Sequence, residues 1–334
     1  MKIFLVTPPG PSARTGNRVA AERWAGILRH LGHRVKIASE YNGEPADAMV
    51  AIHAWRSADA IQRFKSLYPD RSVILQLSGT DIYQYITEDP DPTLRSMELA
   101  DRLVALNALA WRAVPKPLRR KLLVIYQSAA KPARARRMSS SRIDICVIGH
   151  LRDVKDPLRA AEAARLLPAS SRIRIVQVGC AYTPQWAAKA KAEEAANPRY
   201  VWRDDLPRAA VQRLLLQSHA MVLSSLNEGG ANVISEAVVA GVPILASRMD
   251  GNVGLLGLDY PGYFPVGNTA VLARLLRRVE GDPRFVPELC RAVARRAPLF
   301  KPEREIAAWR KLLAGLPRRS GSARAHRSPA EHGR

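Results

Sequence analysis

Short apolar runs alternate with longer amphipathic stretches from one end of the chain to the other. Residues 2–7 (KIFLVT) predict a first strand that ends at a Pro-Pro-Gly turn. In 16–33, Val19, Trp24, Ile27, Leu28 and Leu31 recur at helical spacing, and Gly32 stands where a helix stops. The runs at 34–39, 47–53, 71–77, 101–107 and 121–126 read as further strands, with a helix over 57–67 and an acidic, helix-compatible stretch over 88–100. After a small, polar, basic segment the same alternation begins again at 143–150 (IDICVIGH). Strands follow at 173–179, 199–202, 220–225 and 242–247, and helices at 158–167, up to 196, at 208–217 and at 232–240.

Strands joined by helices of this length form parallel sheets with right-handed crossovers. The pattern therefore predicts an α/β protein made of two facing, doubly wound Rossmann-like domains with a cleft between them. The expected boundaries are 1–127 for an N-terminal domain, 128–142 for a linker and 143–300 for a C-terminal domain. Helices at 268–279, 284–296 and 303–314 complete the pattern; the last, within 301–316, is expected to pack back towards the N-terminal domain. The basic tail 317–334 is expected to be disordered. A chain of 334 residues is long for a single core, which agrees with this division.

Composition changes the picture in one respect. The formal charge is +22, which suits either a nucleic-acid binder or an enzyme with an anionic substrate. The arginines are scattered over helix faces and gathered in 131–142 and the tail, and the aromatics (6%) are not interleaved with them, so a base-stacking platform is missing. An anionic small molecule is the better match, and neither nucleic acid nor membrane is expected as a partner. No apolar stretch approaches the roughly 20 residues of a membrane span, and the N-terminal run is short for a signal peptide, so a cytoplasmic location is expected. Cys146, Cys180 and Cys290 have no metal-ligand spacing and read as reduced thiols.

Candidate chemistry lies just after predicted strands, where open α/β sheets bind ligands. In 224–252 (SSLNEGGANVISEAVVAGVPILASRMDGN), Glu228 is followed by Gly229 and Gly230, then Ala231 and Asn232 open a helix that carries Glu236. The helix start offers free N–H groups to phosphate or hydroxyl oxygens, and carboxylates accept from vicinal sugar hydroxyls. In 149–157 (GHLRDVKDP), Arg152 and Lys155 are placed to neutralise a leaving diphosphate; His150 is either a phosphate donor or a packing residue. Gly16, Asn17 and Arg18 begin the first helix, His53 and Arg56 follow the third strand, and Asp81 ends an SGTD loop, where it is either a site residue or a cap. GxGxxG is absent, which argues against a dinucleotide cofactor, and no Asp-x-Asp pair or metal cluster appears. Cofactor-free, metal-independent chemistry is the expectation.

The two-half layout, the Glu228/Glu236 spacing, the AGVP turn after it and Lys155 of GHLRDVKDP resemble family 4 of the nucleotide-sugar glycosyltransferases with the GT-B fold. More closely, GEPADAMVAIHAWRSADAI, SGTDIY, GHLRDVKDPLRAAEAARLLP, EGGANVISEAVVAGVP and GNVGLLGLDYPGYFPVG resemble the selenosugar synthase (SenB) group of selenoneine biosynthesis.

That resemblance implies that Glu236 holds the ribose of UDP and Glu228 lies by the donor hexose, with Gly229, Gly230, Ala231 and Asn232, and also Gly16 and His150, around sugar or phosphate. Arg152, Lys155 and Glu228 would be the catalytic set. The family's arginine position holds His150, with Arg152 two residues later, which leaves the arginine's role open between them. Ser78 stands where the family often has a histidine, implying a different acceptor. The implied reaction joins selenophosphate to UDP-GlcNAc or UDP-glucose, forming a carbon–selenium bond. A selenophosphate synthetase and a selenoneine synthase would be its functional neighbours. An ionised selenium nucleophile needs no strong general base but does need a second anion pocket, for which Asn17, Arg18, His53, Arg56 and Asp81 are the candidates.

Overall fold

The computed structural model describes residues 1–8 and 15–317. The part of the first loop at 9–14 and the tail at 318–334, for which disorder was expected, lie outside the described residues.

Two six-stranded sheets form the framework. The first contains β1 (Lys2–Val6), β2 (Arg34–Ala38), β3 (Ala48–Ile52), β4 (Ser72–Gln76), β5 (Arg102–Ala105) and β6 (Leu122–Val124), in the order β2-β1-β3-β4-β5-β6. The second contains β7 (Ile143–Ile148), β8 (Ile173–Val178), β9 (Tyr200–Trp202), β10 (Ala220–Leu223), β11 (Ile244–Ser247) and β12 (Tyr263–Phe264), in the order β12-β11-β10-β7-β8-β9. Every pairing is parallel. Central strands such as β3 and β4 are buried throughout, as their unbroken apolar runs require. Strand order reverses between β1 and β3 in one sheet and between β7 and β10 in the other. These are the places where neighbouring crossovers leave in opposite directions and open a crevice beyond the strand ends.

The N-terminal sheet is covered by α1 (Gly16–His30) on one face and by α2 (Ala58–Leu67) and α3 (Pro90–Leu99) on the other. Around the second sheet lie α4 (Arg159–Arg165), α5 (Pro184–Ala196), α6 (Arg208–Gln217), α7 (Asn232–Val239), α8 (Asp250–Leu256), α9 (Thr269–Gly281) and α10 (Phe285–Arg296). The last helix, α11 (Pro302–Ala314), leaves the second half and packs on α1, with Trp309 edge-on to Trp24 at 4.7 Å between ring centres. Residues 128–142 contain no helix or strand but are tied down: Arg136 donates to the carbonyls of Gly241 and Ser218, both at 2.8 Å.

Two regions differ from the sequence pattern. The stretch after β4 starts helically at Asp81, with a π-type turn over Asp81–Tyr85, well before 88. Beyond β11, α8 and β12 were not anticipated, because DGNVGLL carries two glycines that weaken helix propensity. Both glycines sit where backbone or side chain presses close: a Cβ on Gly251 would overlap the Glu228 carbonyl, and one on Gly254 would overlap Asn107 Oδ1. Packing, not propensity, sets that helix.

Candidate functional site

The two strand-order reversals face each other across a cleft of about 330 Å³. The N-terminal wall carries Asn17, His53, Arg56, Ser78 and Thr80; the opposite wall carries His150, Arg152, Lys155, Tyr182 and the 227–233 segment, with Glu236 one turn into α7. The loops that hold these side chains are the direct continuations of β1, β3, β4, β7, β8 and β10.

On the C-terminal wall, Arg152 enters a short 3-10 turn (Asp153–Lys155) that Asp156 ends in a left-handed conformation, φ 44°. Ser224 Oγ donates to the carbonyls of Lys155 and Asp156, at 3.2 and 2.7 Å, and clamps this turn to the end of β10. The Lys155 ammonium is thereby brought onto Glu228 Oε1, which also accepts from Ser225 Oγ at 2.7 Å. Arg152 lies 5.5 Å from the Tyr182 ring centre, and His150 Nδ1 is 3.0 Å from Cys180 Sγ. Glu236 is pushed above the ordinary carboxylic-acid range by burial, which Arg208 and Arg23 only partly oppose.

On the N-terminal wall, His53 is 1% exposed and sits at φ 76°, a region a non-glycine residue enters only when its surroundings hold it there. Its Nδ1 accepts from the Arg56 amide at 3.3 Å, so Nε2 carries the proton and donates to Thr80 Oγ1 at 2.8 Å. Burial pulls its pKa down, against the nearby Asp81, and it stays neutral at pH 7. Ser78 Oγ donates to Asn17 Oδ1 at 3.2 Å and joins the β4 loop to the start of α1.

Residues 133–299, half of the chain, match the family model for glycosyl transferases group 1. The chain belongs to that family. Solved structures of the same architecture include HepE of Anabaena in complex with UDP (TM-score 0.75, 14% identity, covering 94% of this chain and 100% of that one). Sucrose-phosphate synthase from Thermosynechococcus elongatus aligns similarly (TM-score 0.75, 14% identity, 94% and 99%). HepE in complex with UDP-glucose has a TM-score of 0.72 at 14% identity, with 94% and 98% covered. At these identities the likeness establishes the fold, which is GT-B.

In this glycosyltransferase most residues singled out from the sequence converge on the cleft. Gly16, Asn17, His53, Arg56, His150, Arg152, Lys155, Glu228 to Asn232 and Glu236 all line it. Two are not brought there. Arg18 turns back along α1 to pair with Glu22 at 2.8 Å, an i,i+4 contact. Asp81 is fully buried, its Oδ2 accepting from the amides of Ala54 and Ser78 and its Oδ1 from that of Ile82. It ties the loops after β3 and β4 together and is not among the residues that line the cleft.

Thr15, Thr80 and Asn227, which fall within the post-strand segments the sequence points to but carry no assigned role there, also line the cleft, as do Gln76, Gln127 and Tyr182, for which the sequence offers no signal. Thr15 had a legible signal, since its Oγ1 caps α1 by accepting from the Arg18 amide at 3.3 Å. Asn107 lies outside the lining but donates to the Gly229 carbonyl at 2.8 Å from the other half of the molecule. Among the described residues no group of three or more His, Cys, Asp or Glu is placed to hold a metal ion. No helix among them is long and apolar enough to cross a membrane.

Proposed function

We propose that this glycosyltransferase moves a sugar from UDP-GlcNAc or UDP-glucose to selenophosphate. Selenium attacks the anomeric carbon, the bond from that carbon to the diphosphate oxygen breaks, and UDP leaves. Water then cleaves the selenium–phosphorus bond and releases phosphate from the selenosugar.

The observation that carries the reading is the combination at the facing walls. Lys155 and Arg152 stand opposite Arg56, while the nearest N-terminal titratable groups are already engaged: the Nδ1 lone pair of His53 accepts from the Arg56 amide, its Nε2 proton goes to Thr80, and the Asp81 carboxylate is occupied by three backbone amides. A cleft with cations on both sides suits a diphosphate leaving group and an anionic acceptor. A selenium anion already carries its negative charge and dispenses with base catalysis. In this reading Glu236 accepts from the ribose hydroxyls and Glu228 from the donor sugar; both line the cleft, and solved HepE structures carry UDP and UDP-glucose. The resemblance of long stretches to the selenosugar synthase group supports the choice of acceptor. They also link the enzyme to a selenophosphate synthetase that feeds it and a selenoneine synthase that follows.

The test is UDP release from UDP-GlcNAc or UDP-glucose by the purified protein with selenide, ATP and a selenophosphate synthetase. Release that requires every selenium component is expected, with a product containing selenium bound to carbon. Release with simple alcohols or sugars, and none with selenophosphate, would assign an ordinary oxygen acceptor instead.

A further inference from the structure

One buried carboxylate takes no part in the chemistry above. Glu305, in the first turn of α11, is 1% exposed and accepts from four donors. These are Trp24 Nε1 at 2.8 Å, Arg23 Nε at 3.3 Å, and the amide and hydroxyl of Ser128 at 2.8 and 2.5 Å. Arg23 uses its remaining nitrogens elsewhere. Its Nη1 donates to Asn232 Oδ1 at 3.0 Å. With the Gln127 amide oriented to satisfy its neighbours, Arg23 Nη2 donates to the Gln127 oxygen at 3.0 Å. The Gln127 nitrogen then reaches Asn232 Oδ1 at 2.6 Å and the Gly230 carbonyl at 3.3 Å.

Three separated pieces of chain thus converge on the start of α7: helix α1, the junction residues Gln127 and Ser128, and the returning helix α11. A guanidinium suits this place because its planar fork presents donors in fixed directions, so the edge held by Glu305 determines where the other nitrogens point. Burial of Glu305 excludes competing water and makes the direction rigid.

We propose that Arg23 and Glu305 are positioning residues for the donor site. The pair fixes Asn232 and the Gly230 carbonyl at the cleft edge through side-chain hydrogen bonds. This rests on the reading of the cleft as a UDP-sugar site.

The test uses the full chain and measures the Kd for UDP and for UDP-GlcNAc by calorimetry, with thermal melting alongside. Arg23→Ala and Glu305→Gln should each weaken UDP-GlcNAc binding by about tenfold, the worth of one charge-assisted hydrogen bond. Arg23→Lys, with one point charge in place of a fork, should recover only part of the loss. Arg23→Ala combined with Asn232→Ala should bind no more weakly than the poorer single variant, because both remove the same coupling. Leu312→Ala, which loosens α11 at a residue outside the network, should lower the melting temperature and leave affinity unchanged. Native affinity in Arg23→Ala, a Leu312→Ala loss of affinity equal to that of Glu305→Gln, or fully multiplicative Arg23 and Asn232 effects would each overturn the proposal while wild-type binding stands. Failure of the wild-type chain to bind either nucleotide would overturn the donor-site reading and the proposal with it.

Discussion

Gly79 of the N-terminal half and Gly229 of the C-terminal half meet backbone to backbone: a Cβ on either would stand 2.5 Å from the amide nitrogen of the other. The contact lies at the cleft, between the loop after β4 and the loop that presents Glu228. Asn107 fastens the same place by donating to the Gly229 carbonyl at 2.8 Å.

Gly79→Ala and Gly229→Ala should therefore push the halves apart. Each is expected to cost about 1–3 kcal/mol, the range for overpacking against an unyielding neighbour, and to weaken nucleotide binding. Gly26→Ala, in the middle of α1 where an added Cβ meets nothing within 4 Å, should stabilise by about 0.5–1 kcal/mol. Denaturant titration of the three variants checks both signs.

Lys155 and Glu228 form an ion pair in the cleft. A bound diphosphate would draw the ammonium towards itself as charge develops on the leaving group. Lys155→Ala should lower turnover on the order of 100-fold, as for loss of one preorganised charge at a developing anion, with a smaller change in the Kd for UDP-sugar. Single-turnover kinetics beside calorimetry separates the two, and equal losses in both would displace Lys155 from this role.

Glu236→Ala should weaken UDP binding by about 1.5–3 kcal/mol, the worth of hydrogen bonds to a charged group. The same residue has a stability signature. Burial raises its folded-state pKa above the ordinary glutamate value of 4.5, so the unfolded chain gives up its proton first as pH rises. This contribution to stability is fully present below 4.5 and is lost as pH climbs through the raised folded value. Glu236→Gln should remove that loss and gain stability relative to the native chain at neutral pH, read from melting temperatures across an acid-to-neutral series.

His53 has the opposite sign. Its folded pKa lies below 6.5, so its contribution is present above 6.5 and is lost as pH falls and the unfolded imidazole takes up a proton. His53→Asn, which tolerates the left-handed backbone at φ 76°, should flatten this part of the acid-side decline. His53→Val should be destabilised at every pH, since a β-branched residue is strained there.

The alternation of apolar runs and amphipathic stretches determined the two parallel sheets, because burial on both faces forces a strand to read as an unbroken apolar run such as AMVAI or SVILQ. It also placed Lys155, Glu228 and Glu236 in the cleft: in such sheets the crevice lies beyond strand ends, which a linear reading can locate. Tertiary structure alone decided which candidates meet. Arg18 in the first turn of α1 and Asp81 at the start of the helical turn after β4 lie near the cleft, but the first prefers a local partner one helical turn away and the second fills a nest of amides. The glycine helix after β11, the Gly79–Gly229 contact and the path from Glu305 through Arg23 to Asn232 have no local signature. They join residues far apart in sequence, and close approach between distant segments follows from how the two sheets are docked, not from the period of either.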